Sequence, residues 1–225
     1  MKKVLCLLLA AWTATVSIYA QSNSGDPSSQ RYLLTQKKYT FAIQPLQQFN
    51  NGWRFDFEMR LNDGPSWLQF GPTIYSATGE TDNSLFYRHE YFLKLRGGGL
   101  DVNYKEFFNS KRSLYTAAGL SYNYFNIEYS KGEYIWIDYT EDGLPYHEQA
   151  FIIGNDTQHI HRIGANYYIG YQAPFRSPFL FDMFLGLSYR YSFSDKNKPR
   201  FNEYASYGYS GWALMIGVRI GFGIR

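Results

Sequence analysis

Large apolar side chains alternate with small or polar ones along most of the chain. In 212–224 the even positions carry bulky residues such as Trp212 and Leu214, whereas the odd positions carry residues such as Ala213 and Arg219. Successive side chains of a β-strand point to opposite faces of its sheet, so a period of two indicates a strand. The pattern predicts strands with one apolar face and one small or polar face.

Eight segments of this kind predict eight strands. The fourth changes phase across Gly97–Gly99, and we predict a β-bulge or bend at these glycines. The first alternates least clearly, because Pro45 interrupts it. The predicted strands span about 39–49, 52–62, 66–77, 86–107, 113–130, 158–173, 178–194 and 210–224.

The connections between these strands alternate in length. Short turns are predicted at 62–65, 109–112 and 174–177, and longer loops at 78–85, 131–157 and 195–209. Short turns at one end and long loops at the other are typical of an outer-membrane barrel. We therefore predict an all-β fold over 39–225, an eight-stranded antiparallel up-and-down transmembrane β-barrel.

The N-terminus has the pattern of a targeting segment. Lys2 and Lys3 precede an apolar run, and a small residue, Ala20, ends the segment. This pattern predicts a signal peptide over 1–20, cleaved after Ala20, and so a bacterial outer-membrane location. Residues 21–38 are rich in Ser and Gln, which predicts a periplasmic tether.

Composition narrows the function classes. Aromatic residues make up 20% of the chain and charged residues 18%, which is unlike a disordered protein. The formal net charge of +3 gives no basic surface for nucleic acid, and a single cysteine forms no internal disulfide. No apolar run reaches the roughly 20 residues of a transmembrane helix.

Alternation alone leaves open which face points outward. An inward apolar face would make a soluble lipocalin-like binder, but an eight-stranded barrel is too narrow to hold so many bulky side chains. We predict that the polar face is inside and that its charges pair with one another. The alternative role for these charges is an ion or proton path. The predicted interior charge network consists of Arg54, Asp56, Glu58, Arg60, Lys94, Arg96, Asp101, Asp182, Arg190 and Arg219.

The longest connection, 131–157, alternates as two further strand segments with a turn near 140–145. We predict a protruding extracellular hairpin that is strongly acidic, with one Lys against six Asp and Glu. Its free edge could bind a protein partner by strand addition, or the segment could be a stiff solvated loop. The predicted hairpin residues are Tyr134, Trp136, Asp138, Glu141, Asp142 and Gly143.

Candidate chemistry outside these features is sparse. His159 and His161 are two residues apart on one strand face, which fits interfacial residues near lipid head groups or a weak metal site. We predict no resident metal and no cofactor. Aromatic residues near strand ends predict interfacial girdles, namely Trp53, Tyr75, Tyr91, Tyr129, Tyr171 and Trp212.

The Tyr-rich strands of 39–224 resemble the small outer-membrane β-barrels of the OmpA/OmpX type, and with the Ala20–Gln21 site they are similar to uncharacterised barrels of Bacteroidota. The resemblance implies a porin-like barrel without catalytic activity, in contact with outer-membrane lipids. It implies an envelope structural or partner-binding role, as a monomer or as a subunit of an envelope complex. The alternative in the same class is a lipid A-modifying barrel enzyme.

Overall fold

The computed structural model describes residues 37–62, 64–78, 92–108, 113–141, 144–173, 178–196, 201–204 and 206–224. The predicted signal peptide and nearly all of the predicted tether lie outside this part of the chain. Within it, no helix has both the length and the apolar character needed to cross a membrane.

Eight strands follow one another along the described chain. A 3-10 helix at Pro45–Asn50 separates the first two, and Asn51 ends this helix in the left-handed conformation, with φ at 55°. The strands are β1 (Tyr39–Ile43), β2 (Gly52–Arg60), β3 (Ser66–Thr78), β4 (Phe92–Phe107), β5 (Leu114–Glu141), β6 (Leu144–Gln172), β7 (Phe179–Ser194) and β8 (Gly211–Ile224).

Each strand pairs antiparallel with its neighbours in the sequence, and β1 also pairs with β8, which closes the ring. The all-β, eight-stranded, antiparallel up-and-down barrel is therefore confirmed. The pairing is staggered. Thr40 on β1 lies directly opposite Gly223 on β8. When the register is followed the other way round the ring, from Thr40 through β2 to β7, it reaches β8 at Ala213, ten residues earlier. Such a stagger tilts the strands and brings residues from distant parts of the sequence together inside the barrel.

The outer surface of the ring is apolar on every strand, as the alternation predicts. The exposed fractions of Ile74, Leu120 and Ile216 are 59%, 69% and 63%. One such residue from each strand in turn is Phe41, Phe55, Ile74, Leu100, Leu120, Ile163, Leu185 and Ile216.

The inner face carries charged and polar residues between two apolar clusters. We call the end at which β1 begins and β8 finishes the terminal end, and the opposite end the hairpin end. The cluster toward the terminal end contains Trp67, Phe107, Tyr115, Ala117, Tyr168 and Phe184. The cluster toward the hairpin end contains Tyr75, Ala77, Leu95, Phe125, Ile127, Tyr129, Ile160 and Phe201.

Two local predictions are wrong. β1 ends at Ile43 instead of near residue 49, because Pro45 starts the 3-10 helix. β4 runs through Gly97–Gly99 in unbroken register with β3 and β5, and its register shift lies between Phe92 and Lys94. A Cβ atom on Gly99 would clash with Asn123, so close approach of a neighbouring side chain explains a glycine there.

Candidate functional site

Two acids and two bases form a buried network near the terminal end. Lys105 Nζ donates to the two carboxylate oxygens of Glu58 at 3.1 and 3.2 Å, to Asp182 Oδ2 at 3.1 Å and to Gln172 Oε1 at 2.8 Å. Arg219 Nη1 donates to Glu58 Oε1 at 2.8 Å, and its Nη2 lies 3.5 Å from Asp182 Oδ2. We call this group the terminal-end network. Its two positive and two negative charges balance. Buried charges need this pairing, because the loss of hydration is costly.

Two hydroxyl groups add further hydrogen bonds to this network. The Tyr115 hydroxyl accepts from Arg219 Nη2 at 2.6 Å and donates to Asp182 Oδ1 at 2.6 Å. Thr40 Oγ1 donates to Glu58 Oε2 at 3.0 Å. Each carboxylate is therefore held by both charged and neutral donors, which fixes its orientation.

A second group, the middle network, surrounds Asp56. Its Oδ1 accepts from Arg54 Nε at 3.0 Å and from Gln69 Nε2 at 3.0 Å, and its Oδ2 accepts from Gln44 Nε2 at 2.7 Å. Arg54 Nη1 also pairs with Asp101 Oδ2. One arginine here faces two carboxylates, so the middle network carries one excess negative charge.

Eight of the ten predicted interior residues lie on the inner face of the barrel. Lys94 and Arg96 do not: Arg96 is exposed, and Lys94 Nζ lies 3.9 Å from Glu128 in a pair whose side chains are 36% and 46% exposed. The predicted bend at Gly97–Gly99 would have turned these two residues inward. The eight inner-face residues are Arg54, Asp56, Glu58, Arg60, Asp101, Asp182, Arg190 and Arg219.

Two basic residues and two tyrosines of the lumen were not predicted from the sequence. Lys105 occupies an odd position of β4, as Asp101 does, so an unbroken alternation would have placed it inside. Arg162 shares its face of β6 with Tyr168. Tyr115 and Tyr168 are buried although bulky residues were expected outside, and the Tyr168 hydroxyl donates to Gln69. The alternation itself places both tyrosines on the lumen faces of β5 and β6, opposite to Leu120 and Ile163, so the signal was present.

Arg162 and Arg190 lie toward the hairpin end of the inner face. Arg162 is 8% exposed, and its guanidinium carbon lies 4.8 Å from the centroid of the Phe125 ring. Its Nη1 donates to the Ser206 carbonyl oxygen at 3.5 Å. Arg190 forms no ion pair and no hydrogen bond with any residue that the structure describes.

β5 and β6 continue beyond the ring as a two-stranded hairpin in the predicted segment. The last pairs with neighbouring strands are Phe92↔Tyr129 and Ile160↔Ser194, whereas the β5–β6 ladder continues to Glu141↔Leu144. Past these positions both outer edges of the hairpin lack a paired strand among the described residues. Asp142 and Gly143 lie outside the described residues, and of Glu141 only the backbone is described.

One face of this hairpin is aromatic and exposed. Tyr134 and Trp136 are 65% and 69% exposed, and the rings of Tyr134 and Phe151 pack at 4.9 Å between centroids. Ile153 extends the patch and is 68% exposed. By the alternation of β5 and β6, this face continues the outer surface of the barrel.

Two polar side-chain pairs at the hairpin end are open to solvent. His147 Nδ1 lies 2.6 Å from Asp138 Oδ1, with both side chains mostly exposed. At the base of the hairpin Lys196 Nζ lies 2.5 Å from Asp156 Oδ1, and the Tyr129 hydroxyl donates to Asp156 Oδ2 at 2.9 Å. The hydrogen bond from Lys196, with a smaller contribution from Tyr129, lowers the pKa of Asp156 to about 2. The bond with Asp156 in turn raises the pKa of Lys196.

His159 and His161 lie on the outer face, where alternation with Ile163 predicts them. Each is paired with a tyrosine of β5: His159 Nδ1 lies 2.8 Å from the Tyr124 hydroxyl, and His161 Nδ1 lies 2.8 Å from the Tyr122 hydroxyl. One ring nitrogen of each histidine is thus already in a hydrogen bond.

The predicted girdle residues divide between the two faces. Trp53 and Trp212 are outward and 54% and 64% exposed, as expected. Tyr75 and Tyr129 are instead in the lumen, 5% and 3% exposed, so the girdle prediction is wrong for them. Tyr171 is half-buried, and Tyr91 lies outside the described residues.

Fold and surface together define a closed eight-stranded barrel with an apolar exterior and a charged, largely paired lumen. No protein-family model matches the chain, and no curated protein matches it. Among solved structures it is similar to the crystal structure of Acinetobacter baumannii CarO2, at 12% identity and a TM-score of 0.37, over 84% of this chain and 98% of that chain. A likeness this distant says nothing about what this chain does.

Proposed function

We propose that the chain is a small bacterial outer-membrane barrel of the OmpA/OmpX type, exported with a signal peptide cleaved after Ala20, without catalytic activity. The observation that carries this proposal is the continuous apolar exterior of the closed ring. Soluble monomers rarely expose apolar patches above a few hundred Å². A transmembrane barrel presents such a band to lipid and keeps its polar residues inside.

The lumen supports a closed barrel without a channel. Lys105 and Arg219 reach across the interior to Glu58 and Asp182 and leave almost none of their own surface exposed. A barrel of eight strands is just wide enough to be filled by side chains. We expect no steady conductance in planar bilayers, and such a conductance would contradict the packing of the terminal-end network.

The hairpin supports a partner-binding role. Its edges lack paired strands among the described residues, and its exposed Tyr134 and Trp136 offer the aromatic contacts that are common at protein interfaces. Strand addition would satisfy the edge groups, and the acidic excess of 131–157 favours a basic partner.

The experiment that tests the membrane assignment is a gel-mobility shift on the isolated outer-membrane fraction, with and without boiling in SDS. We expect a heat-dependent shift, because a closed barrel resists SDS until it is heated. Recovery in the soluble fraction without a shift would instead favour the lipocalin-like alternative. N-terminal sequencing of the same material is expected to begin at Gln21.

Partner binding is tested separately by photo-crosslinking in intact cells, with the crosslinking residue at Trp136. The matched control position is Tyr204, which is 53% exposed and lies in the neighbouring loop of the same end. We expect one discrete adduct from Trp136 and none from Tyr204. Equal labelling at both positions would contradict a specific interface on the hairpin.

The lipid A-modifying alternative needs a nucleophile within reach of a base. His159 and His161 face Tyr124 and Tyr122 instead. We expect the double substitution His159→Ala and His161→Ala to leave the lipid A profile of the cells unchanged. A changed profile would support an enzyme.

A further inference from the structure

We infer that the lumen holds a binding site for a small oxyanion, a carboxylate or a phosphate, between Arg162 and Arg190. The first observation is the distribution of the carboxylates on the inner face of the described strands. The four that are buried all pair with other cations: Glu58 and Asp182 with Lys105 and Arg219, and Asp56 and Asp101 with Arg54. Neither Arg162 nor Arg190 has a carboxylate within 4.0 Å among the described residues.

The two arginines are neighbours on the inner surface. Arg162 lies opposite Ser192 and Arg190 lies opposite Gly164, so they are diagonal neighbours on β6 and β7. Diagonal residues on one sheet face are about 7–8 Å apart, within reach of each other's long side chains. Two arginines whose side chains can meet in this way repel each other unless an anion lies between them.

Hydroxyl groups, and not bulky side chains, lie beside Arg190. Its ladder neighbours are Gly164 on β6 and Gly211 on β8. A Cβ atom on Gly164 would lie 2.6 Å from Ser121 Oγ, and one on Gly211 would lie 2.7 Å from the Tyr209 hydroxyl. Hydroxyl groups from other parts of the chain therefore occupy the space beside Arg190 where side chains of these two residues would be.

Among the described residues, Arg162 is held in place by neutral groups. Phe125 packs against its guanidinium group, and the Ser206 carbonyl accepts one bond. Asn123, its ladder partner on β5, accepts a bond from the Tyr75 hydroxyl at 3.1 Å. Arginine has five N–H donors in a planar fork that matches carboxylate and phosphate oxygens, so donors remain for an anion.

The local charge around the proposed site fits an anion. Arg162 and Arg190 carry two positive charges toward the hairpin end, while the four buried carboxylates all pair with other cations. An oxyanion between the two arginines would offset this local positive charge.

The test measures thermal unfolding of the full-length mature barrel in a non-ionic detergent. Sodium phosphate and sodium acetate are added separately and compared with sodium chloride at equal ionic strength. We expect at least one of the two oxyanions to raise the unfolding midpoint saturably, by roughly 2–4 °C, and chloride not to do so. Identical curves in all three salts would overturn the proposal.

Three variants locate the effect. Arg190→Gln is expected to abolish the oxyanion response, whereas Arg96→Gln, which removes an exposed arginine from the outer face, is expected to retain it. Asn123→Asp places an isosteric carboxylate beside Arg162. It is expected to raise the midpoint in chloride and to reduce the oxyanion response. If Arg190→Gln does not fold, the Asn123→Asp variant still tests the proposal. An oxyanion response in Asn123→Asp equal to that of the unchanged protein would overturn it.

Discussion

The same kinds of ion pair occur at the two ends of the barrel in opposite environments. In the terminal-end network Lys105, Asp182 and Arg219 are buried and each charge has several partners. At the hairpin end the Lys196–Asp156 pair has side chains 39% and 34% exposed and is open to water. Distances alone do not separate them, since the exposed pair at 2.5 Å is shorter than the buried 3.1 Å contact between Lys105 and Asp182.

The difference teaches that burial decides what a pair contributes. An exposed pair contributes about 0–1 kcal/mol, because water screens the attraction and competes for the bonds. In a buried network, removal of one partner leaves a charge without compensation and costs about 3–5 kcal/mol. The terminal-end network should therefore control whether the barrel folds, and the exposed pairs should tune only the hairpin end.

The largest effect is expected from Arg219→Met. It leaves Glu58 and Asp182 with Lys105 as their one remaining cation in the terminal-end network. We expect the free energy of unfolding, measured by urea titration in detergent, to fall by about 3–5 kcal/mol. Arg96→Met on the outer face is the control, and a comparable loss there would contradict the role of burial.

A double-mutant cycle on Lys105 and Asp182 sharpens the same comparison. Lys105→Met and Asp182→Leu together remove one charge of each sign and leave the Arg219–Glu58 pair at 2.8 Å. We expect the double variant to be more stable than the sum of the single losses predicts, by roughly 0.5–3 kcal/mol. Strict additivity in the unfolding titrations would show that the two charges are not coupled.

Tyr168→Phe tests a neutral bond in the lumen. The change removes the hydroxyl that donates to the buried Gln69 and keeps the ring that packs against Phe184 at 4.9 Å. We expect a loss of about 1 kcal/mol in the free energy of unfolding. Tyr167→Phe is the matched control, because Tyr167 is 53% exposed on the outer face. Equal effects at both positions would show that the hydrogen bond contributes nothing.

Alternation predicted the barrel well because a period of two is a local property of the sequence. Most strand ends lie within a few residues of the predicted limits, and His159, Asp182 and Arg219 are on the predicted faces. The errors at Lys94 and Arg96 come from one wrong inference at Gly97–Gly99. The glycines predict a bulge or bend, whereas two of them accommodate atoms of β5: the Tyr124 carbonyl at Gly97 and the Asn123 side chain at Gly99.

The partners within the lumen were beyond sequence reasoning. Arg219 pairs with Glu58, 161 positions away, because closure of the ring places β8 and β2 on the two sides of β1. No local pattern encodes which side chains meet across the closed ring. The burial of Tyr115 and Tyr168 was missed for a different reason: the alternation places both on lumen faces, but bulky residues were expected outside. The Tyr115 ring fits inside because it fills the space beside Gly170 of β6.

The smallest effect is expected at the exposed pair, through its pH dependence. The pKa of Asp156 is about 2 in the folded protein, below its usual 3.8, so the contribution of the pair is present above the usual value. This contribution to the free energy of unfolding is lost as pH falls from about 4 through about 2. At higher pH it is below about 1 kcal/mol, because both side chains are open to water. Asp156→Asn should abolish this acid-dependent part of the unfolding midpoint. An Asp156→Asn variant as unstable at neutral pH as Arg219→Met would contradict the distinction between buried and exposed pairs.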